Sequence, residues 1–178
     1  MDKRKPYIFI DRDDTLIYDV PYLNDPEKVR LTPGAGHTLA MLRDKGFGII
    51  VISNQSGVGR GIITLEQLNA VNDRVRKMLY AEGCELEDMF FCPHTPADNC
   101  NCRKPRTGML EQACAKYEVD LQHSVMVGDS QADIDMGKAF HLNTVQIRLS
   151  GLNKPDAKAD YAAESLEKAY AYICGLLK

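Results

Sequence analysis

Tyr7-Ile8-Phe9-Ile10-Asp11-Arg12-Asp13-Asp14-Thr15-Leu16 is the stretch from which the fold of this chain can be read. Four apolar, β-forming residues end abruptly in three carboxylates within four positions. A run this short, bounded so sharply, reads as a buried parallel strand and not as a helix. Open α/β sheets bind ligands at the carboxyl ends of their strands, so Asp11 and Asp13 are expected to face a crevice. Two carboxylates this close repel each other. A hard divalent cation such as Mg²⁺ compensates them, because it takes oxygen ligands from one or two carboxylates together with a substrate phosphate. Taken alone, Asp-x-Asp could equally be an acidic turn closing a strand, and the rest of the chain decides between the two.

Downstream, short apolar runs alternate with helical patterns. Gly48–Ser53 is a second buried strand, running into Asn54-Gln55-Ser56-Gly57, and Met89–Phe91 is a third. Ser124–Asp129 is a fourth with an acid at its end, and Thr144–Ile147 a fifth. Ile17–Leu31 has no period and reads as a loop over the first strand end. Thr32-Pro33-Gly34 opens a helix with Thr32 as its expected N-cap, and Gly46 stops it. Thr64 and Gln67 fit a capping box, followed by Leu65, Leu68, Val71, Val75, Met78 and Leu79 as a core-facing stripe. Further helices are expected over about Met109–Tyr117, up to Phe140, and over Ser165–Leu177. Strands alternating with helices imply an α/β fold, a doubly wound parallel sheet. No insertion is large enough for a cap domain, so residues 1–178 are expected to form one domain.

The chain has 178 residues, 44% hydrophobic and 26% charged, and a formal net charge of −3. That balance is expected of an ordinary soluble globular protein and argues against a general nucleic-acid binder. Met1–Pro6 is basic, but the apolar stretch behind it is too short for a signal sequence, and no run reaches membrane-spanning length. A cytoplasmic monomer with no membrane partner is expected. Three of the six cysteines, Cys92, Cys100 and Cys102, crowd one polar loop with His94. Three thiolates and an imidazole suit a tetrahedral structural Zn²⁺ better than scattered disulfides. Cys84, Cys114 and Cys174 lie in or beside helical patterns and read as buried or half-buried thiols. Gly57, Gly59 and Gly61 lack both the spacing of a dinucleotide fingerprint and the lysine of a P-loop, and are read as a flexible or close-approach loop.

Parallel strands bring their carboxyl ends to one edge. Asp11, Asp13, Ser53 and Asp129, with Asp133 one helical turn on, can therefore converge, and Lys104 in Cys102-Arg103-Lys104-Pro105 can add a cation. Carboxylates, a hydroxyl and a lysine around a divalent ion make a site for phosphoryl transfer, which depends on positioning and neutralising the phosphoryl oxygens.

In these motifs, and in their order from about Tyr7 to Ile147, the chain resembles the haloacid dehalogenase superfamily of phosphatases. The resemblance implies that Asp11 attacks phosphorus to form an aspartyl-phosphate and that Asp13 is the general acid and base. It also implies that Ser53 and Lys104 hold the phosphoryl group, and that Asp11, Asp13 and Asp129 hold Mg²⁺. Asp14 stands where these phosphatases usually have Gly. The Cys/His loop followed by Arg103-Lys104-Pro105 resembles the branch that contains the heptose-1,7-bisphosphate 7-phosphatases and the histidinol-phosphate phosphatases. Ser53–Gly61, with Arg60, is more similar to the heptose enzymes, whereas the compact loop at Pro96-Ala97-Asp98 is more similar to the histidinol branch. A sugar phosphate is the implied substrate, with Asn54, Gln55, Arg60 and Arg103 as its contacts. Histidinol phosphate is the alternative, and a zinc-stabilised scaffold the alternative outside enzymes.

Overall fold

In the computed structural model, which describes residues 4–152 and 154–178, the opening apolar run is strand β1 (Tyr7–Ile10), buried throughout. Met1–Lys3 of the basic N-terminus lie outside the described residues. The chain continues through α1 (Ala35–Asp44), β2 (Gly48–Asn54), the single turn α2 (Ser56–Gly59), α3 (Leu65–Ala81) and β3 (Asp88–Cys92). It then forms α4 (Gly108–Lys116), β4 (Val125–Gly128), α5 (Gln131–Ala139), β5 (Asn143–Ile147), β6 (Tyr161–Ala163) and α6 (Leu166–Gly175).

All strand pairs are parallel, in the order β3-β2-β1-β4-β5-β6. β1 pairs with β2 on one side and β4 on the other, so the winding reverses at β1 and a crevice opens above its carboxyl end. Strand periodicity divides the core. Ile8, Ile10, Ile49, Val51, Val125 and Val127 face a cluster built with α1, α3 and α6. Tyr7, Phe9, Ile50, Ile52 and Met126 face the opposite cluster with Met109, Leu110 and Ala113 of α4 and Met136 of α5. Apolar side chains on both faces of a central strand are what makes β1 a continuous hydrophobic run. Among the described residues no insertion forms a cap domain, and no helix is long and apolar enough to cross a membrane.

The expected elements differ from the structure in four places. Thr32 does not cap α1: its buried hydroxyl donates to Thr15 O at 2.8 Å, and Gly34, at φ +71°, occupies the N-cap. Thr32 thus pins the loop after β1 instead. Leu65 begins the α3 stripe yet is 49% exposed, whereas Leu68, three residues on, is fully buried. Tyr161–Ala163 forms a sixth strand, too short for a sequence period to reveal. Gly57 and Gly59 lie in a helical turn and not in a flexible loop. A Cβ on Gly59 would sit 2.6 Å from Pro93 O, so the close approach is to the Cys/His loop. The Thr64–Gln67 capping box of α3 forms as its sequence implies.

Candidate active site

Lys104 is the hub above β1. Its Nζ lies 2.6 Å from Asp11 Oδ1 and 2.6 Å from Asp133 Oδ1, and donates to Ile52 O at 3.0 Å. The side chain reaches this buried position because Asn54, ending β2, grips the lysine's main chain. Asn54 Oδ1 accepts from Lys104 N at 3.0 Å, and Asn54 Nδ2 donates to Lys104 O at 3.2 Å. Asn54 borders the cleft, and both ends of its amide are spent on positioning the lysine. Asp133, at the start of α5, divides its carboxylate. Oδ2 accepts from Ser130 N and Oγ at 3.1 and 2.6 Å, capping the helix, while Oδ1 takes the lysine. Only glycine permits this fold-back, as a Cβ on Gly128 would lie 2.3 Å from Asp133 Cγ.

Burial pushes the Asp11 carboxyl well above the ordinary range; Lys104 opposes that rise, and the Asp133, Asp13 and Asp129 charges add to it. For Lys104 burial works against the ammonium, but contact with Asp11 and Asp133 outweighs it and raises the pKa. The lysine is therefore charged at any working pH.

Asp13 faces away from this hub. Arg12, only 2% exposed, donates Nε to Asp13 Oδ1 at 3.1 Å and Nη2 to Oδ2 at 3.2 Å, while its Nη1 reaches Asn72 Oδ1 on α3 at 2.8 Å. Gln55 Nε2 donates to Asp13 Oδ2 at 2.7 Å and to Ser53 Oγ at 2.8 Å. The carboxylate of Asp13 is held at the rim of a cavity of about 300 Å³ lined by Arg12, Tyr22, Asn54, Gln55 and Ile63. Arg60 is exposed at the end of α2 and outside that lining.

On the opposite side of the crevice, Asp14 has a left-handed backbone, φ +52°. The glycine usual there would adopt it freely, and Asp tolerates it better than most residues. The extra charge is compensated: Lys154 Nζ lies 2.8 Å from Asp14 Oδ2 and 2.6 Å from Asp129 Oδ2. Burial raises the Asp129 carboxyl, with Lys154 opposing and Asp133 adding.

Asp11, Asp129 and Asp133, all buried, bring ligand oxygens within 4.8 Å of one another. Like charges so placed suit a divalent cation bound through oxygen. Asp13 was expected in this set. Its carboxylate is turned to Arg12 and Gln55 instead, while the Asp133 carboxylate stands in the group beside Asp11 and Asp129.

The Cys/His loop closes on itself as expected. Cys92 Sγ lies 3.5 Å from Cys100 Sγ and 3.6 Å from His94 Nδ1; Cys102 Sγ lies 3.3 Å from His94 Nδ1 and 3.5 Å from Cys100 Sγ. Tetrahedral Zn²⁺ with ordinary bond lengths separates its ligand atoms by about 3.5–3.8 Å. The four residues fit that ion. Cys84 is buried and Cys114 and Cys174 half-buried, all free thiols, also as expected. Arg106 ties the loop through Nη1 to Asn99 O and Cys100 O, each at 2.6 Å. Arg103 Nη1 donates to His94 O at 3.3 Å and, with Lys104 and Arg106, lines a second cavity of about 350 Å³.

Three contributors escaped the sequence reading: Arg12, Asn72 and Lys154. Arg12 sits between two acids and reads as an exposed charge. Asn72 interrupts the apolar stripe of α3, four residues after Leu68 and three before Val75, and that spacing is the signal that it faces something buried.

Comparison with known proteins places this architecture. A family model described as HAD-hydrolase-like matches residues 101–169. The chain is 33% identical over 178 residues to the D-glycero-beta-D-manno-heptose-1,7-bisphosphate 7-phosphatase of Yersinia pestis, covering 93% of this chain and 94% of that protein. It is 38% identical over 137 residues to the alpha-anomer enzyme of Photorhabdus laumondii, covering 73% and 75%. The solved D,D-heptose 1,7-bisphosphate phosphatase of B. bronchiseptica, complexed with magnesium and phosphate, superposes with a TM-score of 0.84 at 27% identity, covering 96% and 98%. By contrast, the histidine biosynthesis bifunctional protein HisB of Legionella pneumophila, 34% identical over 146 residues, is matched over only 41% of its length.

Proposed function

Because the chain belongs to the heptose-1,7-bisphosphate 7-phosphatase family of HAD-like hydrolases, we propose that it removes the 7-phosphate of D-glycero-D-manno-heptose 1,7-bisphosphate. The observation that carries this reading is the buried Asp11–Lys104–Asp133 network at the strand end, with Asp13 held separately at the cavity rim. Lys104 fixes Oδ1 of Asp11, and the Asp11 carboxylate attacks phosphorus as the bond to the sugar oxygen breaks. Asp13, oriented by Arg12 and Gln55, gives its proton to the departing oxygen. It then takes a proton from the water that hydrolyses the aspartyl-phosphate. Ser53 would hold a phosphoryl oxygen through its hydroxyl, and Lys104, whose three N–H groups are spent on Asp11, Asp133 and Ile52, would act on the phosphoryl group through its charge.

Asp11, Asp129 and Asp133 would hold Mg²⁺, which supplies neutralisation of phosphoryl charge. Cys92, His94, Cys100 and Cys102 would hold Zn²⁺, fixing the segment that leads into Arg103 and Lys104. We read the whole chain as a single phosphatase domain acting as a cytoplasmic monomer, a compartment in which free thiols stay reduced.

Arg103, which lines a cavity with Lys104, would be the cation for the distal phosphate, with the exposed Arg60 as the second. Parallel kinetics on heptose 1,7-bisphosphates and histidinol phosphate test the reading. A kcat/KM preference for the bisphosphate is expected, reduced about ten- to a hundredfold by Arg103→Ala, while a small monophosphate is little affected. Preference for histidinol phosphate would overturn the substrate assignment.

A further inference from the structure

Lys154 comes from the loop between β5 and β6, and buried groups fix where it stands. Gln146 of β5 is fully buried, and its Nε2 donates both to Asp129 O at 2.9 Å and to Pro155 O at 2.8 Å. Its Oε1 accepts from Ala157 N at 3.0 Å. One amide thus ties the main chain of Asp129 to the residues that follow Lys154. From the other side, Asp14 is oriented by its Oδ1, which accepts from Asp19 N at 2.9 Å, leaving Oδ2 for the ammonium. Asp14 and Lys154 therefore enter the crevice as a matched pair, with Asp129 as their shared neighbour.

We propose that Lys154 is a positioning residue that sets the affinity of Asp129 for its divalent cation, with Asp14 as its counterweight. The proposal rests on the reading of Asp129 as a ligand of that cation. Ammonium and metal draw on one carboxylate, so each weakens the other's hold. Four carboxylates meet here, Asp11, Asp14, Asp129 and Asp133, against the ammonium groups of Lys104 and Lys154. A divalent ion brings the group to neutrality. Removing Lys154 leaves excess negative charge and tightens the cation. Removing Asp14 leaves excess positive charge, turns Lys154 wholly onto Asp129, and weakens it. The effect of one charge on a divalent ion a few ångströms away is worth about tenfold in affinity, or more where solvent is excluded.

The test is calorimetric titration of the full-length protein, zinc content verified, with Mg²⁺ alone. Lys154→Met should lower the Mg²⁺ dissociation constant about tenfold, Asp14→Asn should raise it, and the double variant should return close to the parent. Lys154→Arg, keeping the charge, should change little. Asp129→Asn serves as the control for the underlying reading and should weaken binding strongly. Unchanged Mg²⁺ affinity in Asp129→Asn would overturn the ligand assignment and the proposal with it. A strong effect there, combined with unchanged or weaker binding in Lys154→Met, would overturn the proposal alone, leaving Lys154 as a mere orienting contact.

Discussion

Replacing Lys104 by Met removes a 6% exposed ammonium that serves three acceptors at once. Methionine conserves most of the volume, so the loss is electrostatic. Asp11 and Asp133 are left as adjacent buried carboxylates, and removing one partner of a buried ion pair costs about 3–5 kcal/mol. Unfolding entropy of about 2.1 cal/mol/K per residue converts that, for a chain of this length, to a fall in Tm of about 8–13 °C. The loss depends on pH. Burial already holds Asp11 above the ordinary range, and loss of the lysine moves it further up. A carboxyl with a raised folded pKa contributes stability below its unfolded value, and that stability disappears as pH rises through the folded one. The gap between parent and variant should accordingly be wider at about pH 8 than at about pH 5, and Mg²⁺ should narrow it by supplying substitute charge. Thermal unfolding at both pH values, with and without Mg²⁺, measures all of this. A loss below about 1 kcal/mol, or one indifferent to both pH and Mg²⁺, would refute the assignment of Lys104 as the counter-charge of Asp11 and Asp133.

Asp11→Asn should abolish turnover in a folded protein, and Asp13→Asn should lower kcat by at least about 10²-fold; near-parental rates in purified Asp11→Asn would exclude the aspartyl-phosphate route. Elemental analysis should give about one zinc per chain, with the zinc lost from a Cys100→Ser, Cys102→Ser double variant. A brief chelator treatment should stop turnover reversibly while that zinc stays, and zinc-free protein purified without chelator would count against the loop site. Mg²⁺ should raise Tm more at about pH 8 than at about pH 5, because the cation requires ionised carboxylates that the fold itself holds protonated more readily than usual; a pH-independent gain would argue that it binds elsewhere.

The strands, the crevice and the groups at its edge are legible in the sequence because each is local. An apolar run of β-formers ending in Asp11, Ser53 or Asp129 carries both its structure and its chemistry within a few residues, and the Cys/His loop shows its ligand-type side chains by residue type. What escapes is set by partners distant in sequence. Whether Asp13 or Asp133 joins Asp11 depends on Arg12 and Gln55 claiming the former, and nothing in the local run foretells that Arg12 turns inward to Asn72. Thr32 has the right chemistry for an N-cap but lies within reach of the Thr15 carbonyl, and tertiary contact prevails. Tyr161–Ala163 is a strand because β5 offers it an edge. Asp14 reads as a disturbance until Lys154, far along the chain, is seen beside it.

The strand order has a further consequence, for the growing polypeptide. β1 is made before the other strands yet ends up in the middle of the sheet, with β2 and β3 on one side and β4, β5 and β6 on the other. A nascent chain that has reached the end of β3 can pair only one edge of β1, leaving the backbone of the β4-facing edge open to wrong partners. At that stage Asp11 also lacks Lys104 and Asp133, both still to be synthesised. The network around Asp11 can therefore close only after the start of α5 has been made, and until then β1 carries a buried-type edge without its partner.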